Sequence, residues 1–174
     1  MTRPTSRVAV PEPASHRNAR VIVAGLGHEY RRDDGVGPLV AANAVAVAGF
    51  AEDVGPLADP LDLLGRWDGA NLVIVVDAVR SGAPPGTVRL VELEPEAAGG
   101  ASGGQSATST HGIGLAGVLR LARAIDQAPA RVVVVGIEGE DFGNGSGLSP
   151  AVEAAVPQAV RQVVELIAEG QQCA

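Results

Sequence analysis

Apolar residues gather into three short runs, over residues 20–27, 71–76 and 131–137, each opened by a polar residue, Arg20, Asn71 or Arg131, and between these runs they return at helical spacing. Runs of this length rich in Val and Ile, closed by Gly or Asp, predict strands buried on both faces. Residues 36–48 are rich in Ala and Val, and Asp34 stands at a cap position, so a helix is expected there, ended by Gly49. A weak strand is expected over residues 50–54. A short helix over 60–67 has Asp59 as cap and Pro60 at its first position. Residues 87–93 alternate apolar and polar, as an edge strand with one wet face would. A helix opening at His111 and running to about residue 126 carries an expected buried stripe through Ile113, Leu115, Val118, Leu119, Leu121, Ala122 and Ile125. The last helix starts at Pro150 behind Ser149 as cap, and the strand over 71–76 terminates at Asp77.

Strands alternating with helices predict an α/β fold: a three-layer arrangement of a mostly parallel sheet with helices on both faces. Residues 1–19 hold Pro4, Pro11 and Pro13 among Thr, Ser and Arg without an apolar period, and are expected to form a disordered tail. Residues 20–170 then make a single domain. Residues 94–110, rich in Gly, Ala and Ser, are expected to be a mobile loop.

Composition sharpens this picture. Hydrophobic residues make up 46% of the 174 residues and aromatics only 2%, so the core must be built from aliphatic side chains in layers. A net charge of −7 with 13 Lys and Arg argues against nucleic acid as partner. The single cysteine, Cys173, forms no intramolecular disulfide and no cysteine cage for a metal, which fits a reducing cytoplasm. No run approaches the about 18 apolar residues of a membrane span, so no membrane association is expected.

The turn after the first strand carries the most telling chemistry. Asp33 and Asp34 lie between Gly25-Leu26-Gly27 and Gly35-Val36-Gly37, where many α/β proteins bind phosphate on bare helix N–H groups. Carboxylates there repel an anion and suit a cation. Sites in such sheets form beyond the carboxyl ends of strands, where Asp77 and the helix-opening His111 are also expected. Two carboxylates and an imidazole form a mixed oxygen and nitrogen set suited to nickel, zinc or another divalent ion. Taken singly, each has a plainer role: Asp34 as a helix cap worth about 1 kcal/mol, Asp77 as a turn residue, His111 as a surface histidine.

The ordered motifs Gly25-Leu26-Gly27, Asp33-Asp34-Gly35-Val36-Gly37, Val75-Val76-Asp77-Ala78, Thr110-His111-Gly112-Ile113-Gly114-Leu115, Val135-Gly136-Ile137-Glu138 and Gly147-Leu148-Ser149-Pro150-Ala151-Val152 together resemble the nickel-iron hydrogenase maturation endopeptidases. The resemblance reaches from about residue 21 to residue 160. It implies a twisted five-stranded sheet between helices and an enzyme that removes a C-terminal extension from the [NiFe] hydrogenase large-subunit precursor. It also implies that Asp34, Asp77 and His111 contact nickel already seated in that substrate, with another divalent ion as a stand-in in vitro. Two positions depart from the family pattern. His28 replaces the usual Asn after the second glycine, and Asp53-Val54-Gly55-Pro56 lacks a clear Asp-Gly pair.

No Ser or Cys occupies a nucleophile motif, so water is the expected attacking group. His28-Glu29 begins like a zinc-protease motif, but Arg32 replaces its second histidine. Two alternatives stay open at this point. The stretch Gly25-Leu26-Gly27-His28-Glu29-Tyr30 also resembles the opening of peptidyl-tRNA hydrolases, which would need a basic face for RNA. A non-enzymatic nucleotide-binding module is the other, although Tyr30 replaces the third glycine of its fingerprint.

Overall fold

The computed structural model describes residues 19–93 and 114–172. Five strands form one sheet: β1 (Val21–Leu26), β2 (Glu52–Leu57), β3 (Leu72–Val79), β4 (Val88–Glu92) and β5 (Val132–Glu138), in the order β2-β1-β3-β5-β4. All neighbours are parallel except β4, which runs antiparallel to β5 at the edge. Three helices cover the sheet: α1 (Val36–Ala48), α2 (Leu115–Ala124) and α3 (Pro150–Gln172). The α/β class and the mostly parallel five-stranded sheet are as expected.

Side-chain alternation along the central strands divides the core in two. Val21 and Val23 of β1, with Leu72, Ile74 and Val76 of β3, face α1 and α3. Ile22, Ala24 and Leu26, with Val73 and Val75, face α2 and the segment holding Leu63 and Trp67. The uninterrupted Val and Ile runs are therefore uninterrupted because both faces are covered. Trp67, fully buried in the second cluster, packs its short helical turn on the sheet.

Local departures have identifiable causes. β3 does not end at Asp77 but runs on to Val79, because β5 pairs with it as far as Glu138. The weak strand is displaced from residues 50–54: β2 starts at Glu52 and reaches Leu57, whose carbonyl accepts a hydrogen bond from the Gly27 N–H. The short helix is a single 3-10 turn, Pro60–Leu63, capped as expected by the Asp59 carboxylate on the Leu61 N–H. β4 is wet on both faces, with Leu90 48% and Val91 52% exposed. Within the described residues α2 starts at Leu115 behind an extended Gly114, and the expected opening at His111 lies outside them. Gly49 ends α1 in a left-handed conformation, its N–H returning to the Val45 carbonyl.

The expected tail at residues 1–19 and the expected loop at 94–110 lie outside the described residues, save for Ala19. That residue is buried, and its carbonyl accepts from the Gln171 side chain. Among the described residues no helix is long and apolar enough to cross a membrane.

Candidate active site

After β1 the chain visits β2 on one side, then returns to β3 on the other, so the order of strands reverses between β1 and β3. A crevice opens outside the carboxyl ends of strands at such a reversal. The start of α1 is pressed against these ends. A Cβ on Gly37 would stand 2.3 Å from the Leu26 carbonyl oxygen and 2.6 Å from that of Val76, so only glycine permits this approach. Gly27, at φ 123°, is equally constrained, since its Cβ would fall 1.9 Å from the Asp34 carbonyl oxygen.

Asp33 and Asp34 sit in a 3-10 turn, Arg32–Gly35, that precedes α1. The cap expected of Asp34 is not made: Gly35 holds the cap position without a side-chain hydrogen bond. Instead, Asp34 turns back toward β1, and its Oδ2 accepts from the His28 N–H at 2.9 Å. Because that bond uses the backbone of residue 28, His in place of Asn leaves it intact. Asp34 is 1% exposed, and its Oδ1 has no hydrogen-bond partner.

Asp77 lies within β3 opposite Gly136 of β5, on the face shared by Val73 and Val75, which is the α2 face. It is 4% exposed, with an unpartnered Oδ1 of its own. Burial, reinforced by the charge of Asp34, pushes its carboxyl up to about 7, despite an opposing hydrogen bond from the Ala78 backbone. Asp34 and Asp77 are thus neighbours. Two buried carboxylates, each presenting an oxygen that nothing among the described residues satisfies, fit a cation or a shared proton and not an anion. His111, the third expected member, lies outside the described residues. Among those residues no three His, Cys, Asp or Glu side chains converge.

Asp33, fully buried beside this pair, has a different role that sequence reasoning missed. Its Oδ2 accepts from the N–H groups of Glu140 and Asp141, each at 2.8 Å, and from the Ser149 hydroxyl at 2.9 Å. Its Oδ1 accepts from the Ser149 N–H at 2.6 Å. Burial alone would raise its pKa, but these hydrogen bonds prevail and hold it below the usual carboxylate range. Ser149, expected as a side-chain cap for α3, spends its hydroxyl on Asp33. Glu138 is similarly committed, accepting from the Ser81 N–H and hydroxyl and from the Gly82 N–H. The signal for both was a fixed acidic residue beside a glycine-rich loop, which sequence alone does not separate from solvated charge.

Fold and site together define an α/β protein whose switch point carries a carboxylate pair where nucleotide binders keep bare backbone. The hydrogenase maturation protease family model, HycI, matches residues 55–166. The chain is 30% identical to the hydrogenase expression/formation protein HoxM of Cupriavidus necator, with 84% of this chain and 73% of that protein covered. It is 28% identical to the hydrogenase 2 maturation protease of Escherichia coli, over 86% of this chain and 92% of that one. The E. coli maturating endopeptidase HybD superposes with a TM-score of 0.69 at 27% identity, covering 86% and 93% of the two chains. The [NiFe] hydrogenase maturation protease HybD of Thermococcus kodakarensis superposes with a TM-score of 0.65, also at 27% identity, over 85% and 99%. This chain belongs to the hydrogenase maturation protease family. It is a hydrolase, and that membership displaces both the peptidyl-tRNA hydrolase and the nucleotide-binding alternatives.

Proposed function

We propose that this protein is a nickel-dependent endopeptidase that removes the C-terminal extension of a [NiFe] hydrogenase large-subunit precursor, with Asp34, Asp77 and His111 meeting nickel carried by the substrate. The observation that carries this reading is the pair of unpartnered, buried carboxylate oxygens at the β1/β3 switch point. A pair of this kind costs stability while empty and is rewarded when a cation enters. The face on which Asp77 sits supports the inclusion of His111, because α2, which follows that histidine, packs on the same face.

In this reading the chain contributes position and charge. Asp34 and Asp77 bring the nickel-bearing part of the precursor against the crevice and so fix the scissile peptide relative to the enzyme. Metal carried by the substrate supplies electrophilic polarisation. Water is the attacking group in this reading, which is supported by the lack of a serine or cysteine nucleophile motif in the sequence. Asp77, protonated in part at neutral pH, is placed to hold or release a proton as the peptide bond breaks. Substrate recognition through a metal in the precursor makes cleavage a report on completed metal insertion.

The test is to incubate the full chain with a large-subunit precursor, with and without nickel, and to measure the mass of the large subunit. Loss of the tail in the nickel-loaded sample alone is the expected result. Equal cleavage of both samples would overturn nickel dependence, and cleavage of neither would overturn the assigned substrate.

A further inference from the structure

Asp33 and the Gly147-Leu148-Ser149-Pro150 motif are separated by more than a hundred residues, and neither contributes an atom to the proposed metal contact. They are two halves of one latch. Asp33 is fully buried and takes four hydrogen bonds, all from the segment between β5 and α3: Glu140 N–H, Asp141 N–H, Ser149 N–H and Ser149 Oγ. The backbone adds to the same seam. The Asp33 N–H donates to the Asp141 carbonyl at 2.9 Å, the Arg32 N–H to the Gly145 carbonyl at 3.0 Å, and the Gly145 N–H to the Tyr30 carbonyl at 2.9 Å. A Cβ on Gly139 would stand 3.4 Å from the Asp33 Cβ, so the segment lies directly on the turn.

This seam acts on Asp34. Asp33 and Asp34 share a four-residue turn, Arg32–Gly35, in which Arg32 adopts φ 54°, a conformation few non-glycine residues hold unaided. Among the described residues Asp34 has one side-chain hydrogen bond of its own, from the His28 N–H. Its orientation toward Asp77 therefore depends on the turn, and the turn depends on what grips Asp33.

We propose that Asp33 is a positioning residue: by clamping Glu140, Asp141 and Ser149 it fixes the turn that aims the free oxygen of Asp34 at Asp77, and Ser149 is its partner in that task. The inference rests on the reading that Asp34 and Asp77 meet the substrate metal. A carboxylate, and not merely a polar group, is required, because all four partners are donors and an amide would set an N–H₂ against at least one of them.

The experiment compares the wild type, D33N, S149A, S149T and the double variant D33N/S149A on nickel-loaded precursor, measuring kcat and KM separately together with the melting temperature. Processing by the wild type establishes the underlying reading, and its absence would overturn that reading regardless of the variants. Given wild-type activity, D33N is expected to lower kcat by about 100-fold with KM little changed, as misplacement by about 1 Å does. S149A is expected to lower it less, S149T to restore most of the loss, and the double variant to be no worse than D33N because both changes open the same latch. Variants that melt earlier but retain wild-type kcat below their melting temperature would show a purely structural role and overturn the proposal. So would losses in kcat that simply multiply in the double variant.

Discussion

Burial and the neighbouring negative charge of Asp34 push the Asp77 carboxyl up to about 7, so Asp77 gives up its proton within the physiological range. An aspartate in water ionises near 3.8. Between those two values the folded chain holds a proton at Asp77 that the unfolded chain has released.

The sign of the stability change follows. A carboxyl whose pKa is raised on folding contributes stability that is fully present below the unfolded value and is lost as pH rises through the folded one. Asp77 therefore favours unfolding progressively from pH 3.8 up through about 7. The D77N variant is expected to lose this dependence and to melt several degrees above the wild type at pH 8, with the gap closing below pH 4. Thermal melting across that range checks it, and a constant gap would refute the assignment.

Asp33 contributes with the opposite sign. Its pKa is depressed on folding, so its contribution is present above the unfolded value and disappears as pH falls through the folded one. Acid should therefore break the seam with the β5–α3 segment. Protection factors for amide hydrogen exchange at Glu140, Asp141 and Ser149, with the slowing of intrinsic exchange in acid divided out, are expected to fall on acidification, whereas the β3 and β5 amides stay protected.

Gly37→Ala tests the close approach of α1 to the strand ends. With carbonyl oxygens at 2.3 and 2.6 Å from the added methyl, neither of which belongs to a flexible side chain, the helix must shift. A loss of about 1–3 kcal/mol is expected in urea unfolding, together with weakened processing, because the same shift carries Asp34 away from Asp77. Unaltered activity in a destabilised variant would separate the helix start from the site.

Glu138→Ala releases the Ser81 and Gly82 N–H groups and the Ser81 hydroxyl. A loss of about 2 kcal/mol is expected, seen as a lower urea midpoint at unchanged slope.

Much of this arrangement could be read from the chain. The Val and Ile runs named the three central strands because burial on both faces leaves no polar position to confuse the period, and Gly49 and Asp59 marked their helix ends through local backbone chemistry. Topology placed Asp34 and Asp77 together because a parallel sheet puts both at one rim. What the pattern did not reveal depended on partners far along the chain. The extension of β3 past Asp77 is set by β5, and the role of Asp33 by Ser149. The expected cap at Asp34 failed for the same reason: local spacing identifies a carboxylate near a helix start, but not whether it turns forward to the helix or back to His28.

Asp34→Asn should move stability and function in opposite directions. The Asn side chain keeps a carbonyl to accept from the His28 N–H, so the one hydrogen bond of Asp34 survives. It also removes the charge that helps raise the Asp77 pKa, and its N–H₂ can face the unpartnered Asp77 oxygen. D34N is therefore expected to melt at or above the wild-type temperature at pH 8, while processing of nickel-loaded precursor falls by at least about 100-fold because an anionic contact to the metal is gone. A D34N protein that is less stable than the wild type would show that the carboxylate serves the fold, and one that still processes the precursor normally would remove Asp34 from the site.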